Sequence, residues 1–382
     1  MLVSQIMRSE QSGKISCEHA PKPFVSIVVP GFNEQSLVQK NLKIICDYME
    51  TLEYRCRWEL VFVNDGSTDD TGELADNFAQ SRDNVLVLHH PYNFRLGQAL
   101  RYGFSRCRGD YIIVLDLDLS YSTDHIERLL DKIIQTKAKI VIASPYMKGG
   151  KVSNVPWFRK VLSKWANRYL CLSAAKDPFS DKLTTITGMV RAYDRRFLNR
   201  LHLKAMSVEI NSEIINKAKI LRARIVEIPA HLNWQVEKVA TKKGRSRKSS
   251  MRIIGAMLQS LVSGYMFRPF LFFVVPGMLL SLLSLYPIGW ALLHSIHYYE
   301  GLAASSASID FRLSDAIGAA FRQSPHAFIV GGFALIIGIQ LLSLGLLALQ
   351  KKRYFDELYS LGCTTCICTK EIHNLSNRSE IL

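Results

Sequence analysis

Acid is what this chain is shortest of. Across 382 residues, 33 Asp and Glu stand against 48 Lys and Arg, a formal net charge of +15. That shortage points toward an anionic partner: phosphate, anionic lipid or nucleic acid. The eight cysteines are scattered, with Cys363, Cys366 and Cys368 the one close group. No second pair completes the four ligands of a structural zinc site, so free thiols in a reducing compartment are expected. Residues 1–22 lack an apolar core of signal-peptide length, and nothing in them argues for export; they are expected to be a disordered lead-in. Charge-free runs of membrane length are missing before residue 269 and present after it. That contrast divides a soluble part from a membrane part.

In the soluble part short apolar runs recur at roughly helix-length intervals: FVSIVV (24–29), WELVFV (58–63), NVLVLHH (84–90), YIIVL (111–115) and KIVIAS (139–144). Their length and β-branched content predict buried strands. The stretches between them predict helices, the first with Leu37, Leu42, Ile45 and Met49 at helical spacing. Such alternation implies an α/β fold with a mostly parallel sheet covered on both faces. Ligands of these sheets bind beyond the carboxyl ends of the strands, at a switch point.

The polar clusters all follow strand ends. The first run ends in PGFNE, with Glu34; the second in NDGST, with Asp65; the stretch NFRLGQALRYGF offers Arg95, Gly97 and a helix start. The fourth delivers Asp116 and Asp118, one residue apart. Two carboxylates that close repel unless a cation or solvent compensates. A hard divalent ion, completed by substrate phosphate oxygens, suits them. Asp65 is placed to accept hydrogen bonds from a base or ribose, and helix N-terminal amides after such turns favour phosphate. Taken singly, each cluster reads equally well as a loop and a cap.

Residues 270–293 and 327–349 are each long and apolar enough to cross a bilayer, with Pro276 and Pro287 tolerable inside a membrane helix. Basic residues from Lys242 to Arg268 precede the first run and Lys351, Lys352 and Arg353 follow the second, whereas 294–326 carries only Arg312 and Arg322. The positive-inside rule then places the large domain and the tail in the cytoplasm. The competing account is two buried helices of a soluble protein. Residues 155–172 and 249–268 mix aromatic and basic residues in helical pattern, either lying on an anionic leaflet or packing on the domain. Nucleic acid is discounted as a partner, because the basic residues flank a membrane span.

VSIVVPGFNE, VNDGSTDDTG, NFRLGQALRYG and DLDLS, in this order, resemble the successive motifs of glycosyltransferase family 2. The resemblance covers about 24–250 and is strongest to its polyprenyl-phosphate sugar synthases, the dolichol-phosphate mannose synthase-like group. It implies a GT-A (Rossmann-like) catalytic domain over 23–248; charge and hydropathy add an amphipathic interfacial helix over 249–268, a two-helix transmembrane anchor within 269–350 and a cytoplasmic tail over 351–382. It further implies a nucleotide-sugar donor and inversion at the anomeric carbon. By matching position, Pro30, Phe32, Glu34, Asp65 and Asp116 would hold the nucleoside, with Arg95 and Gly97 on the donor side. Asp118, with Asp116, would hold Mg²⁺ or Mn²⁺. Ser120 stands where the mannose synthase group has a glutamine ligand. The stretch KDPFSDKLTTITGMVRAYDRRFL resembles the family's Asp-Pro-x-Ser-Gly-Phe-Arg region, stretched by an insertion. It makes Asp177, Asp181 and Arg191 candidates for acceptor-phosphate or donor contacts, and Arg159 and Arg168 join them from the basic segment 155–172. TKKGRSRKSSMR (241–252) reads either as a lipid-attracted juxtamembrane cluster or as a diphosphate clamp through Arg245 and Lys248. Glu209 and Glu213 read as a capped helix or as acid near the sugar.

A sugar hydroxyl normally needs a general base to attack. A phosphate monoester, with a second pKa of about 6, does not. The chain lacks an obvious paired-acid constellation beyond the metal site and lacks the Gln-x-x-Arg-Trp pattern of processive polysaccharide synthases. The expected reaction is therefore hexose transfer from a UDP- or GDP-sugar to polyprenyl phosphate at an anionic membrane surface. Transfer to another lipid or glycan hydroxyl is one alternative, and a non-catalytic nucleotide-sugar-binding scaffold another. A homo-oligomer is compatible with a two-span anchor.

Overall fold

The computed structural model describes residues 22–155, 157, 161, 163, 164, 167, 183–234, 270–302 and 308–379. Arg159, Arg168, Asp177, Asp181, Arg245, Lys248, the lead-in 1–21 and the segment 249–268 lie outside the described residues. The chain divides into two compact units, Met1–Lys248 and Ser249–Leu382.

The first unit is built on a seven-stranded sheet of order β3-β2-β1-β4-β7-β5-β8. Its strands are β1 (Phe24–Gly31), β2 (Arg57–Asn64), β3 (Val85–His89), β4 (Tyr111–Val114), β5 (Ile140–Ser144), β7 (Arg191–Asp194) and β8 (Ile225–Pro229). The five expected strands are present within one to two residues of their predicted ends. Their uninterrupted apolar runs have a simple cause: the central strands are covered on both faces. On one face Val25, Ile27 and Val29 pack against Leu42, Ile45 and Met49 of α1 (Val38–Glu50) and Leu129 and Ile133 of α4 (Asp124–Thr136). On the other, Val28, Val61 and Val63 meet Leu100 and Phe104 of α3 (Leu96–Arg106) and Ile210 and Ile214 of α6 (Ile210–Ile220). Helix α2 (Thr71–Ala79) follows β2, and α5 (Arg195–Leu198) follows β7.

Strand β7 runs antiparallel to both neighbours, β4 and β5, and closes the gap left between the parallel halves. A separate two-stranded parallel ribbon joins β6 (Lys151–Ser153) to β9 (His231–Asn233).

The second unit contains α7 (Val275–Gly301), entered through a π-helical turn Phe270–Val274, then α8 (Ile309–Gln323) and α9 (Pro325–Ser379). Two stretches are long and apolar enough to cross a membrane, Phe272–Gly301 and Pro325–Thr365, with mean hydropathy 1.8 and 2.3. Only 11% and 17% of their most apolar windows are buried, which argues against core helices of a soluble fold. The pair touch through small residues: a Cβ on Gly338 would come within 2.9 Å of Ser281 N, and one on Gly277 within 2.9 Å of Gly338 O. Backbones that approach this closely pack well in lipid, where association rests on contact rather than on water exclusion. The connection 294–326 contains the helix α8, whose apolar residues recur at helical spacing, and α9, with no proline after Pro325, continues past residue 350 to Ser379.

Candidate active site

The chain order β1, β2, β3 runs outward in one direction, and β4 returns to the other side of β1. The β1/β4 boundary is thus the switch point where such sheets open a crevice. Register places Gly31 beside Asn64 on one flank and Val28 beside Val114 on the other. The residues immediately beyond, Phe32–Glu34, Asp65 and Asp116–Ser120, therefore gather around one crevice.

Side chains lace these turns together. Asn33 Oδ1 accepts from Thr68 N at 2.8 Å, and Thr71 Oγ1 accepts from Glu34 N at 2.8 Å. Asn33 N donates to Ser67 Oγ at 3.0 Å. Gly66 adopts φ +67, and a Cβ there would sit 2.2 Å from the Tyr92 carbonyl carbon, so no other residue fits this turn without moving β3's exit loop. Three non-glycine residues at the strand ends, Asn33, Arg95 and Leu119, also have positive φ, at 56, 73 and 50 degrees. Conformations of this kind persist where surrounding contacts hold them, commonly at functional sites.

Asp116 is half-buried and Asp118 exposed. Burial, and then the Asp118 charge, push Asp116 from its ordinary 3.8 up to about 7, while a hydrogen bond from the Ser120 side chain pulls the other way. A divalent cation between two such carboxylates would favour their charged forms. Asp118 Oδ1 accepts from Ser120 N at 2.9 Å, and Asn41 Nδ2 holds Leu117 O at 2.8 Å, fixing the loop. Among the described residues no cluster of three His, Cys, Asp or Glu could hold a metal. An ion at Asp116 and Asp118 would complete its shell with water or phosphate oxygens, an arrangement typical of Mg²⁺.

Asp65 is 4% exposed, and its Oδ1 accepts from His90 Nδ1 at 2.8 Å and from Phe94 N at 3.0 Å. Pro30 is half-buried; Phe32, 41% exposed, projects at the same level of the sheet, and Glu34 lies in the same turn. Arg95 is exposed at the start of α3.

Two expectations are corrected. Gly97 does allow a close approach, but of the chain's own backbone: a Cβ would stand 2.4 Å from Ala205 O, and Gly97 N donates to Met206 O at 2.9 Å. Arg191 is fully buried in β7, its guanidinium donating to Asn211 O at 2.9 Å and to Ile186 O, so it braces the fold rather than meeting a ligand. Glu213 takes the plainer of its two readings: it accepts from Lys204 N, Ala205 N and Lys217 Nζ, and so holds the loop before α6.

Sequence reasoning missed the β6–β9 ribbon. Asn233 N donates to Ser120 O at 2.9 Å, and His125 Nε2 accepts from His231 N at 3.2 Å, so the ribbon is stitched to the Asp116–Ser120 loop. Because its strands are parallel, the segments that follow Ser153 and Asn233 leave at the same end. The segment after Ser153 is partly described: Asn167 Oδ1 accepts from Ile186 N at 2.9 Å, and Tyr146 donates to Ser163 Oγ at 2.8 Å, while Trp157 is 76% exposed. The signal for it in the sequence was two polar residues, Ser163 and Asn167, four apart.

Comparison with known proteins agrees with this geometry. Residues 26–201 match the model of the family described as "Glycosyl transferase family 2". A dolichol-phosphate mannosyltransferase of Pyrococcus furiosus is 28% identical over 235 residues, 62% of this chain and 64% of that protein, so the chain spans less than two thirds of that relative's length. A polyprenol monophosphomannose synthase of Mycolicibacterium smegmatis is 29% identical over 256 residues, 64% of this chain and 90% of its own. Among solved structures, a mannosyltransferase from Pyrobaculum calidifontis in complex with GDP-Man and Mn²⁺ is 16% identical, with a TM-score of 0.43 over 95% of this chain and 93% of that one. With a doubly wound sheet, acidic strand ends at its switch point and a matching family model over that same region, residues 26–201 form a glycosyltransferase family 2 domain within the first unit.

Proposed function

We propose that this enzyme moves a hexose from a nucleotide sugar to polyprenyl phosphate, with inversion, at a membrane surface. One observation carries the donor half of the reading: two neighbouring carboxylates at the β1/β4 switch point, whose proximity a divalent cation would compensate. Asp116 and Asp118 would hold Mg²⁺ or Mn²⁺, which supplies charge against the donor pyrophosphate. The nucleoside lies along Pro30, Phe32, Glu34 and Asp65, with Arg95 at the donor's edge.

The acceptor half rests on chemistry and on neighbourhood. A phosphate monoester is largely dianionic at neutral pH and attacks the anomeric carbon directly. One bond forms from a phosphate oxygen to that carbon, the bond from it to the donor's β-phosphate oxygen breaks, and the nucleoside diphosphate leaves with the electron pair. No proton must be removed, so no general base is required of the crevice. Two basic segments follow the ribbon's strands in sequence. They carry Arg159 and Arg168 in one, Arg245 and Lys248 in the other, as candidates for the acceptor phosphate and the leaving group. Asp177 and Asp181 are the acidic candidates for the same contacts. The two apolar helices anchor the domain, and the Lys/Arg bias of their flanks assigns the catalytic unit and the end of α9 to the cytoplasm.

The test is a panel of labelled UDP- and GDP-sugars with polyprenyl phosphate and Mg²⁺ or Mn²⁺, using the full chain in detergent or vesicles. The reading expects a labelled lipid phosphodiester that depends on the metal. Label on a hydroxyl acceptor, with polyprenyl phosphate ignored, would overturn the acceptor half.

A further inference from the structure

Asp65 is where the chain meets the donor's nucleoside, on the reading above, and its hydrogen bonds limit which base it can take. A carboxylate oxygen offers about two acceptor positions. On Oδ1 both are filled, by the Nδ1–H of His90 at 2.8 Å and by the Phe94 N–H at 3.0 Å. Among the described residues nothing bonds to Oδ2, which leaves Asp65 one oxygen to present. The His90 ring is itself clamped: it stacks on Tyr102 with centroids 5.2 Å apart and meets the Phe94 ring edge-on at 5.0 Å. His90 and Asp65 side chains are 7% and 6% exposed, so water does not compete well for the bond.

Uracil and guanine ask different things of a carboxylate. The uracil edge has a single donor, N3–H, between two carbonyl oxygens. The guanine edge has two adjacent donors, N1–H and the exocyclic amino group, which a carboxylate satisfies with both oxygens side by side. An Asp whose Oδ1 is already saturated suits the first and leaves one guanine donor unmet. An unmet buried donor is costly. Phe32 and Tyr92 are exposed, 41% and 61% accessible, and an aromatic face would stack on either base, so stacking does not discriminate.

We propose that His90 is a positioning residue that commits the enzyme to uridine diphosphate sugars, by tying down Oδ1 of Asp65. The inference rests on Asp65 facing the base, and the experiment separates the two ideas. UDP and GDP are titrated against the full chain in detergent with Mn²⁺, and each is used as a competitor of the donor. Wild type should hold UDP at least about tenfold more tightly than GDP, the scale of one charge-assisted hydrogen bond. His90→Phe keeps the stacking on Tyr102 and removes the donor, so the preference should shrink to about threefold or less, with the loss falling on the donor KM rather than on kcat. His90→Asn restores an N–H near the Nδ1 position and should restore the preference. Equal or tighter GDP binding by wild type overturns the proposal, and so does an equal loss of both nucleotides in His90→Phe that His90→Asn does not repair. Asp65→Ala is the control: if it leaves UDP affinity unchanged, the base does not lie at Asp65 and both ideas fall. If it weakens UDP while His90→Phe changes nothing, only the role of His90 falls.

Discussion

The two units solve opposite problems with the same kinds of side chain. In the first, Val, Ile and Leu are enclosed by a sheet covered on both faces, and polarity is concentrated at strand ends. In the second, leucines such as Leu282, Leu283 and Leu285 are 59%, 65% and 59% exposed, and the small residues face inward. Burial in water rewards hiding apolar area, whereas lipid is as apolar as leucine and rewards close backbone contact instead. Chemistry needs the first environment, because a carboxylate's proton affinity can be tuned only where water is partly excluded. The second supplies a place to stand.

The sharpest way to break the comparison is to damage one unit and leave the other intact. Asp118→Ala should lower transfer by about a thousandfold or more, while the protein remains in the carbonate-resistant membrane fraction; surviving activity would refute the metal assignment. Leu283→Arg attacks the other unit. In a bilayer it should cost roughly 3 kcal/mol and reduce the membrane-integrated fraction, whereas a surface leucine of a soluble protein would tolerate it within about half a kcal/mol.

Asp116→Asn tests the tuning itself. The folded value of about 7 lies above the ordinary 3.8. The Asp116 contribution to stability is therefore fully present below pH 3.8 and is lost as pH rises through 7. Without metal, the Asn variant should melt like wild type near pH 4 and be more stable by on the order of 2 kcal/mol at pH 8, discounted for partial exposure. Saturating Mn²⁺ should reverse the order, since only wild type gains from it. The smallest effect belongs to Tyr146→Phe, which removes the bond to Ser163. About 1 kcal/mol of local stability should go, read as faster amide exchange near residues 161–167 with the core strands unchanged.

Much of the first unit was legible because buried parallel strands leave unbroken apolar runs, and because acids at strand ends converge whatever the helices between them do. Asp65, Asp116 and Asp118 stand at such strand ends. Strand β7 was not, since its RAYD is four residues long, carries a charge at each end and pairs antiparallel inside a stretched motif. Gly97 was misjudged for a different reason: a glycine announces a close approach without naming what approaches. Arg191 matched a motif position, but a one-dimensional match says nothing about depth. His90 escaped notice because its partner is 25 residues away and becomes a neighbour only when β3 pairs with β2. In the second unit, counting charges located the spans but hid α8, whose alternating acids and bases read as a loop.

Helix α9 is continuous over 55 residues, about 80 Å of rod at 1.5 Å per residue, against a hydrocarbon layer of about 30 Å. A jointless rod transmits rotation. When a bilayer thins, a span that is too long for it leans over, and the projecting end must swing through a wider arc than the part inside. Were Pro325–Thr365 to cross a bilayer, the part of α9 beyond it would be mechanically coupled to lipid thickness, as a pointer is to the dial it crosses.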